Sequence, residues 1–311
     1  MNSPNSSAAS KKPKIRLNGV VDRTTEINAP SVEQLDLTSK RVLVVGGTGG
    51  LGGAVAQQVL SLGAEVTVVG RTFRDHPTDR LTFVQADLSS MREAVRLGRE
   101  LPVETYDVAF FSLGIMAARI REETAEGIER DLAVSYLSRL AVLQGLSPRL
   151  GTARPDSAPQ ARVFIMGAPG AGNVGRLDDL NSEHGYKPFA AHMNTVAGNE
   201  ILVLAGGRRL PGPAYFGLNP GLIKTDIRSN YLGEGSIVHR LAEAVAGLAG
   251  PSPQTYAARI VPLLFADDLG GRNALMFNNK AQVIQPTAGL GTHYSDRYLD
   301  TSETLLRRAV G

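Results

Sequence analysis

A single doubly wound α/β domain, with a parallel sheet of about seven strands and helices on both faces, is the fold class that the sequence predicts. Three observations predict it. From Lys40 onward, short runs rich in Val, Ile and Phe alternate with longer helical stretches. The first run ends in a glycine cluster that opens directly into an Ala-rich stretch. After that point neither a Pro/Ser-rich linker nor a repeat of fixed period divides the chain. Strands that alternate with helices imply right-handed crossovers, and so parallel neighbours.

The elements follow in order. Residues 1–14 are Ser, Asn, Ala, Pro and Lys, a composition that buries no core, and a disordered basic tail is expected there. Residues 15–38 read as an extended lead-in, and residues 39–311 as the domain. Arg41-Val42-Leu43-Val44-Val45 is a β-branched run without alternation, as in a strand buried on both faces. Leu51 to Leu62 is a helix stopped by Gly63. Glu65 to Gly70, Leu81 to Val84 and Asp107 to Phe111 read as the second, third and fourth strands. Helices are expected over Ser89–Glu100 and Gly127–Leu146. Arg162–Met166, Ala214–Leu218 and Ala274–Phe277 complete the strands.

The 311 residues are 42% hydrophobic, enough for one sizeable core. The absence of cysteine removes disulfides, thiolate nucleophiles and Cys-metal sites. No His-x-x-x-His spacing points to a metal, and none is expected. The net charge of +3 comes from the tail, where Lys11, Lys12, Lys14 and Arg16 precede any acid. Without those four, the 33 basic residues nearly balance the 30 acidic ones, so no nucleic-acid-binding face is expected. No apolar run is long enough to span a bilayer, and no secretory h-region follows Met1, so a cytoplasmic protein is expected.

The turn Gly46-Gly47-Thr48-Gly49-Gly50-Leu51-Gly52 lies between the first strand and the first helix. Glycine permits a tight turn and close approach of backbone to a pyrophosphate, and the helix N-terminus offers free N–H groups and a positive dipole end. This makes the fold Rossmann-like. Gly46, Thr48, Gly50, Leu51 and Gly52 are the candidate phosphate contacts. Arg71 follows the second strand, where an acid would bind an NAD ribose. A guanidinium there suits a 2′-phosphate and favours NADP over NAD.

The spacing Gly46-x-x-x-Gly50-x-Gly52 resembles that of short-chain dehydrogenase/reductases. Further motifs resemble their retinol-dehydrogenase-like branch. These are Gly114-Ile115-Met116, the stretch Thr124–Glu129 with Val134–Leu137, Asp178–Glu183, and Asn219-Pro220-Gly221 with Thr225. The resemblance spans about Leu35 to Leu306. It implies that Asp87 and Leu88 contact adenine, that Gly114 binds the cofactor, that Pro220 and Gly221 run beside the nicotinamide, and that Thr225 reaches the carboxamide or the phosphates. A homo-oligomer is also expected from it.

The same resemblance implies a catalytic set that this chain lacks. The family uses a tyrosine to carry the proton, a lysine four residues later to lower its pKa, a serine after the fifth strand and an asparagine on the fourth helix. A phenol of pKa near ~10 is a poor base without a neighbouring cation. The corresponding positions hold His192, Val196, Ala168 and Ser135. No Tyr-x-x-x-Lys occurs elsewhere in the chain.

An imidazole titrates near pH ~6.5 and needs no lysine, so His192 is the candidate acid–base group; a packing histidine is the competing reading. Thr195 and Ser135 are candidates to hold a substrate oxygen, although helix hydroxyls often bond backbone instead. Glu183, His184 and Tyr186 lie close enough in sequence to reach the pocket. Val196, Ala168, Leu113 and Phe111 predict an apolar floor suited to a small apolar substrate of the secondary-metabolite kind. The first expectation is a non-redox step such as cyclisation, isomerisation or dehydration. The alternatives are an NADPH-dependent oxidoreductase using His192 or water, and a non-catalytic NADP-binding sensor or scaffold.

Overall fold

Residues 18–73, 78–221 and 251–311 are described by the computed structural model. Among them, eight strands form one sheet in the order β3-β2-β1-β4-β5-β6-β7-β8. β1 (Arg41–Val45), β2 (Glu65–Gly70), β3 (Leu81–Gln85), β4 (Val108–Phe111), β5 (Arg162–Met166), β6 (Ala214–Leu218) and β7 (Leu275–Phe277) are all parallel. The expectation of about seven strands missed β8 (Val283–Ile284), which closes the edge antiparallel to β7. Two residues after an Asn-rich turn are too short to show a period.

The strands carry their core on both faces, which is why they lack alternation. Val42, Val44, Val66, Val68, Val108 and Phe110 point to the layer of α1 (Gly50–Ser61) and α6 (Pro253–Leu264). Leu43, Val45, Val69, Ala109 and Phe111 point to the opposite layer. That layer holds α2 (Met91–Glu100), α4 (Ser138–Leu146), α5 (Pro188–Arg209) and α7 (Thr292–Val310). Full burial of each of these Val, Leu and Phe side chains contributes about 1.5–3 kcal/mol.

α2 starts at Met91 rather than Ser89. Ser90 caps it by accepting from Glu93 N, and the Glu126 carboxylate accepts from the Ser90 hydroxyl and from Met91 N and Arg92 N. The helix expected over Gly127–Leu146 is broken into three pieces. A single turn, α3 (Arg130–Leu132), leads into a π-helical turn, Ala133–Leu137, and then into α4.

The lead-in runs along the sheet from its far edge. Val21 bridges Ile284, Asn28 is held by Asp268, and the buried Leu37 bonds Leu62 O just before β1. The basic tail at 1–14 and Thr225 lie outside the described residues. Among the described residues, no helix is long and apolar enough to cross a membrane.

Candidate active site

The strand order reverses between β1 and β4, and in open α/β sheets ligands bind outside the carboxyl ends of the strands at such a point. Gly46, in the left-handed region at φ 90°, turns the chain out of β1. A Cβ on Gly46 would sit 2.5 Å from Leu113 N, and one on Gly52 would sit 2.1 Å from Ser112 Oγ and 2.3 Å from Gly46 O. These two positions let α1 press against the ends of β1 and β4. Gly50, at φ 55°, faces open space, with nothing within 4 Å of where its Cβ would be. The first-turn N–H groups of α1 there have no acceptor within the helix. That combination fits a pyrophosphate.

Thr48 packs over Gly70 at the end of β2, next to Arg71. Arg71 is exposed and in electrostatic reach of Asp87. Burial pushes the Asp87 carboxyl up, but the Ser89 N–H and hydroxyl, Arg71 and Arg130 together hold it below its ordinary value. Asp87 therefore bonds Ser89 and caps no helix, while Leu88 is buried. At the other end, Asn219 bonds Gly221 N and Pro169 O, fixing the Pro220–Gly221 turn beyond β6. Gly114 lies beside Ser135 and Arg139.

His192 stands on the second turn of α5, and its Nδ1 lies 2.7 Å from Asp131 Oδ2. Asp131, 0% exposed, also accepts from Ser135 Oγ at 2.6 Å. A carboxylate only accepts, so Nδ1 carries the hydrogen in this pair. Burial alone pushes the His192 imidazole down. The Asp131 hydrogen bond and the charges of Asp131 and Glu129 more than reverse this and raise it above its ordinary value. Burial and the Asp131 charge push Glu129 up to about 7, against the Leu132 and Asp131 N–H groups and Arg121. Glu129 and Asp131 line a cavity of about 40 Å³ whose outer wall includes the surface ion pair Glu122–Arg130.

Two of the candidate catalytic hydroxyls are committed elsewhere. Ser135 Oγ, expected on substrate, donates to Asp131 and accepts from Ile115 N at 2.9 Å, so it braces the carboxylate. Thr195 Oγ1, also expected on substrate, donates to His192 O at 2.8 Å within its own helix. Tyr186 donates to Ala118 O, and burial with the charges of Glu129, Asp131 and Glu122 pushes it up to about 12, so it keeps its proton at neutral pH. Glu183 binds Asn181 and Arg308, and the His184 N–H binds Asp179.

Of the four residues expected to form an apolar floor, Ala168 and Val196 meet in one small cluster. Ala168 packs on a small cluster of Ala171, Met193 and Val196. Ala168 itself has φ 53°, a left-handed conformation that costs a non-glycine residue roughly 1–2 kcal/mol. Phe111 instead belongs to the main core, and Leu113 packs at its margin.

Sequence reasoning missed Asp131, Glu129 and Arg139. Arg139 is only 3% exposed, yet its guanidinium donates to Met166 O, Leu113 O and Asn199 Oδ1. Burial pushes it down to about 9 against the Asp131 charge, so it stays a cation at neutral pH. Among the described residues, no group of three His, Asp or Glu side chains is arranged to hold a metal.

No family model matches the chain. An uncharacterized oxidoreductase of Saccharomyces cerevisiae is 41% identical over 293 residues, covering 93% of this chain and 95% of the relative. A short-chain dehydrogenase structure from Salmonella enterica superposes with a TM-score of 0.57 at 15% identity, over 81% of this chain and 100% of that one. A serine dehydrogenase solved in closed form with NADP+ superposes with a TM-score of 0.54 at 16% identity, over 73% and 90% of the two chains. With an oxidoreductase matched along nearly its whole length, and this sheet order and glycine turn beneath it, the chain belongs to the short-chain dehydrogenase/reductase superfamily.

Proposed function

We propose that the protein is an NADP(H)-dependent oxidoreductase of small apolar carbonyls or alcohols, in which His192 rather than a tyrosine exchanges the substrate proton. The observation that carries this is the pairing of His192 Nδ1 with the buried Asp131 carboxylate at 2.7 Å. It favours the tautomer with the hydrogen on Nδ1, which would leave Nε2 to exchange the substrate proton. The nicotinamide supplies or takes the hydride when bound. This chain's own residues do the rest. The N-terminus of α1 and the Gly46–Gly52 turn would hold the pyrophosphate, and Thr48 and Arg71 the 2′-phosphate. The wall from Leu113 to Gly114 and the turn at Pro220–Gly221 would line the nicotinamide. Ala168, Met193 and Val196 offer the substrate an apolar surface that excludes water. A preference for NADP has support from Arg71 and from the NADP+-bound structural neighbour.

The test is reduction of decalone and cyclohexanone with NADPH and with NADH, followed by loss of the reduced nicotinamide absorbance. His192→Phe should lower turnover by ~10²–10⁴, the usual contribution of a general acid–base group, without changing nucleotide affinity. An unchanged rate would move the chemistry away from His192.

A non-redox step on the same scaffold is the second reading. It is favoured by the apolar cluster that stands where the resemblance puts the serine and lysine. Product formed with no change in nicotinamide absorbance would select it.

A further inference from the structure

The buried carboxylate of Asp131 faces an unusual set of neighbours. Glu129 and Asp131 are both almost fully inaccessible, and Tyr186 lies within their electrostatic reach. Two carboxyl groups in such a place need compensating positive charge. Val196, where the resemblance puts a lysine, supplies none and sits instead in an apolar cluster. Arg121 acts on Glu129 from the outer side. His192 from α5 and Arg139 from α4 are cations that interact with Asp131.

Arg139 does more than balance charge. One nitrogen donates to Leu113 O, two residues beyond β4, and another to Met166 O, the last residue of β5. The second nitrogen also reaches Asn199 Oδ1 on α5 at 3.0 Å. Asn199 then passes the constraint on through its amide, to Ser135 O at 2.9 Å and Thr195 O at 2.8 Å. A single planar guanidinium thus ties together the three elements that would surround substrate and nicotinamide. Lysine, with a compact ammonium, does not span three acceptors in this way.

We propose that Arg139 is a positioning residue that takes over the role of the missing lysine from the neighbouring helix, fixing the charge and orientation of the Asp131–His192 pair and the wall at Leu113–Gly114. Its electrostatic part rests on no functional assumption. Its part in turnover rests on His192 being the proton carrier.

The sign follows from the charges. Arg139 interacts with the Asp131 carboxylate, so on this proposal removing the guanidinium charge should leave more of that carboxylate's field to His192 and let the imidazole hold its proton more tightly. Arg139→Gln should move the His192 NMR titration upward by on the order of one pH unit. Arg139→Lys keeps the charge and should leave that titration near the wild type. It loses the three-way bonding, so its KM for NADPH should rise, with decalone as substrate. In Arg139→Gln, the pH limb of decalone reduction should move with the titration.

A residue that only fills space would destabilise both variants without separating them by charge. Equal titrations in Arg139→Gln, Arg139→Lys and wild type, with each variant folded by near-ultraviolet circular dichroism, overturn the proposal. If Arg139→Gln does not fold, Arg139→Met, which keeps most of the side-chain length without the charge, should shift the titration upward in its place, and no shift there overturns the proposal equally. A titration that moves while the rate profile stays fixed supports the charge assignment and overturns His192 as proton carrier.

Discussion

Asp131→Asn isolates the interaction on which the proposed chemistry depends. The amide is nearly isosteric and can still accept from Ser135 Oγ, but it brings no charge to His192 Nδ1. A hydrogen bond to a charged partner contributes roughly 1.5–3 kcal/mol net. At 1.36 kcal/mol per pH unit, losing it should lower the His192 pKa by about 1–2 units. Burial, which already pushes the imidazole down, is then opposed only by Glu129. The pKa, raised above ~6.5 in the folded wild type, should fall below it. Nδ1–H also loses its obligatory acceptor, because the amide can turn its NH₂ toward the ring and stabilise the wrong tautomer. Turnover should drop ~10²-fold or more. Stability gives an independent check. A folded-state pKa above the unfolded value adds stability that is complete below ~6.5 and is lost as pH rises through the folded pKa. In urea unfolding, the gap between wild type and variant should therefore be widest in acid, by ~1.5–3 kcal/mol, and should close above neutrality. An NMR titration of His192 that does not move, or a stability gap that widens with rising pH, would refute this account of the pair.

Other positions make separate predictions. Gly52→Ala puts a Cβ at 2.1 Å from Ser112 Oγ and 2.3 Å from a backbone oxygen, so it should cost ~1–3 kcal/mol by thermal unfolding and weaken nucleotide binding. Gly53→Ala, whose Cβ would make ordinary contacts at 3.5 and 3.7 Å, should be neutral or slightly stabilising and is the control. Calorimetry should show Arg71→Ala losing ~10-fold or more in affinity for NADP while NAD binding stays nearly constant; equal losses would detach Arg71 from the 2′-phosphate. Light scattering should give an assembly larger than one chain at micromolar concentration, and a monomer would contradict the expectation drawn from the family resemblance.

The fold was legible wherever burial on both faces wrote itself as an unbroken apolar run. The bounds of β1, β5 and β6 coincide with such runs, because a central parallel strand has no solvent-facing side to interrupt it, and β2 was legible although Thr67, bonded to the Tyr106 hydroxyl, interrupts its run. The break in the long helix was not legible. Leu132-Ala133-Val134-Ser135-Tyr136-Leu137 contains neither Gly nor Pro, so nothing local announces a π-helical turn. A tertiary contact falls on it: the Asn199 amide on α5 donates to the Ser135 carbonyl, a backbone acceptor of that turn.

The site was legible only in halves, and the missing half has a physical signature. His192 could be found because it stands at a position where the resemblance demands a proton donor. Its partners could not be found that way, since the family has no reason to place a carboxylate at Asp131 or a guanidinium at Arg139. Yet Asp131, Ser135 and Arg139 recur every four residues in a stretch that is otherwise almost wholly apolar, which puts all three on one helical face. Such a stripe would be ordinary on a solvated helix. Here the residues between them, Leu132 to Leu137, are themselves buried, so the stripe had to be buried with them. A buried charge is tolerated only when something answers it. A charged stripe inside an apolar helix therefore predicts both a partner of opposite sign on the stripe and a titratable group facing it, and Arg139 and His192 are those two groups.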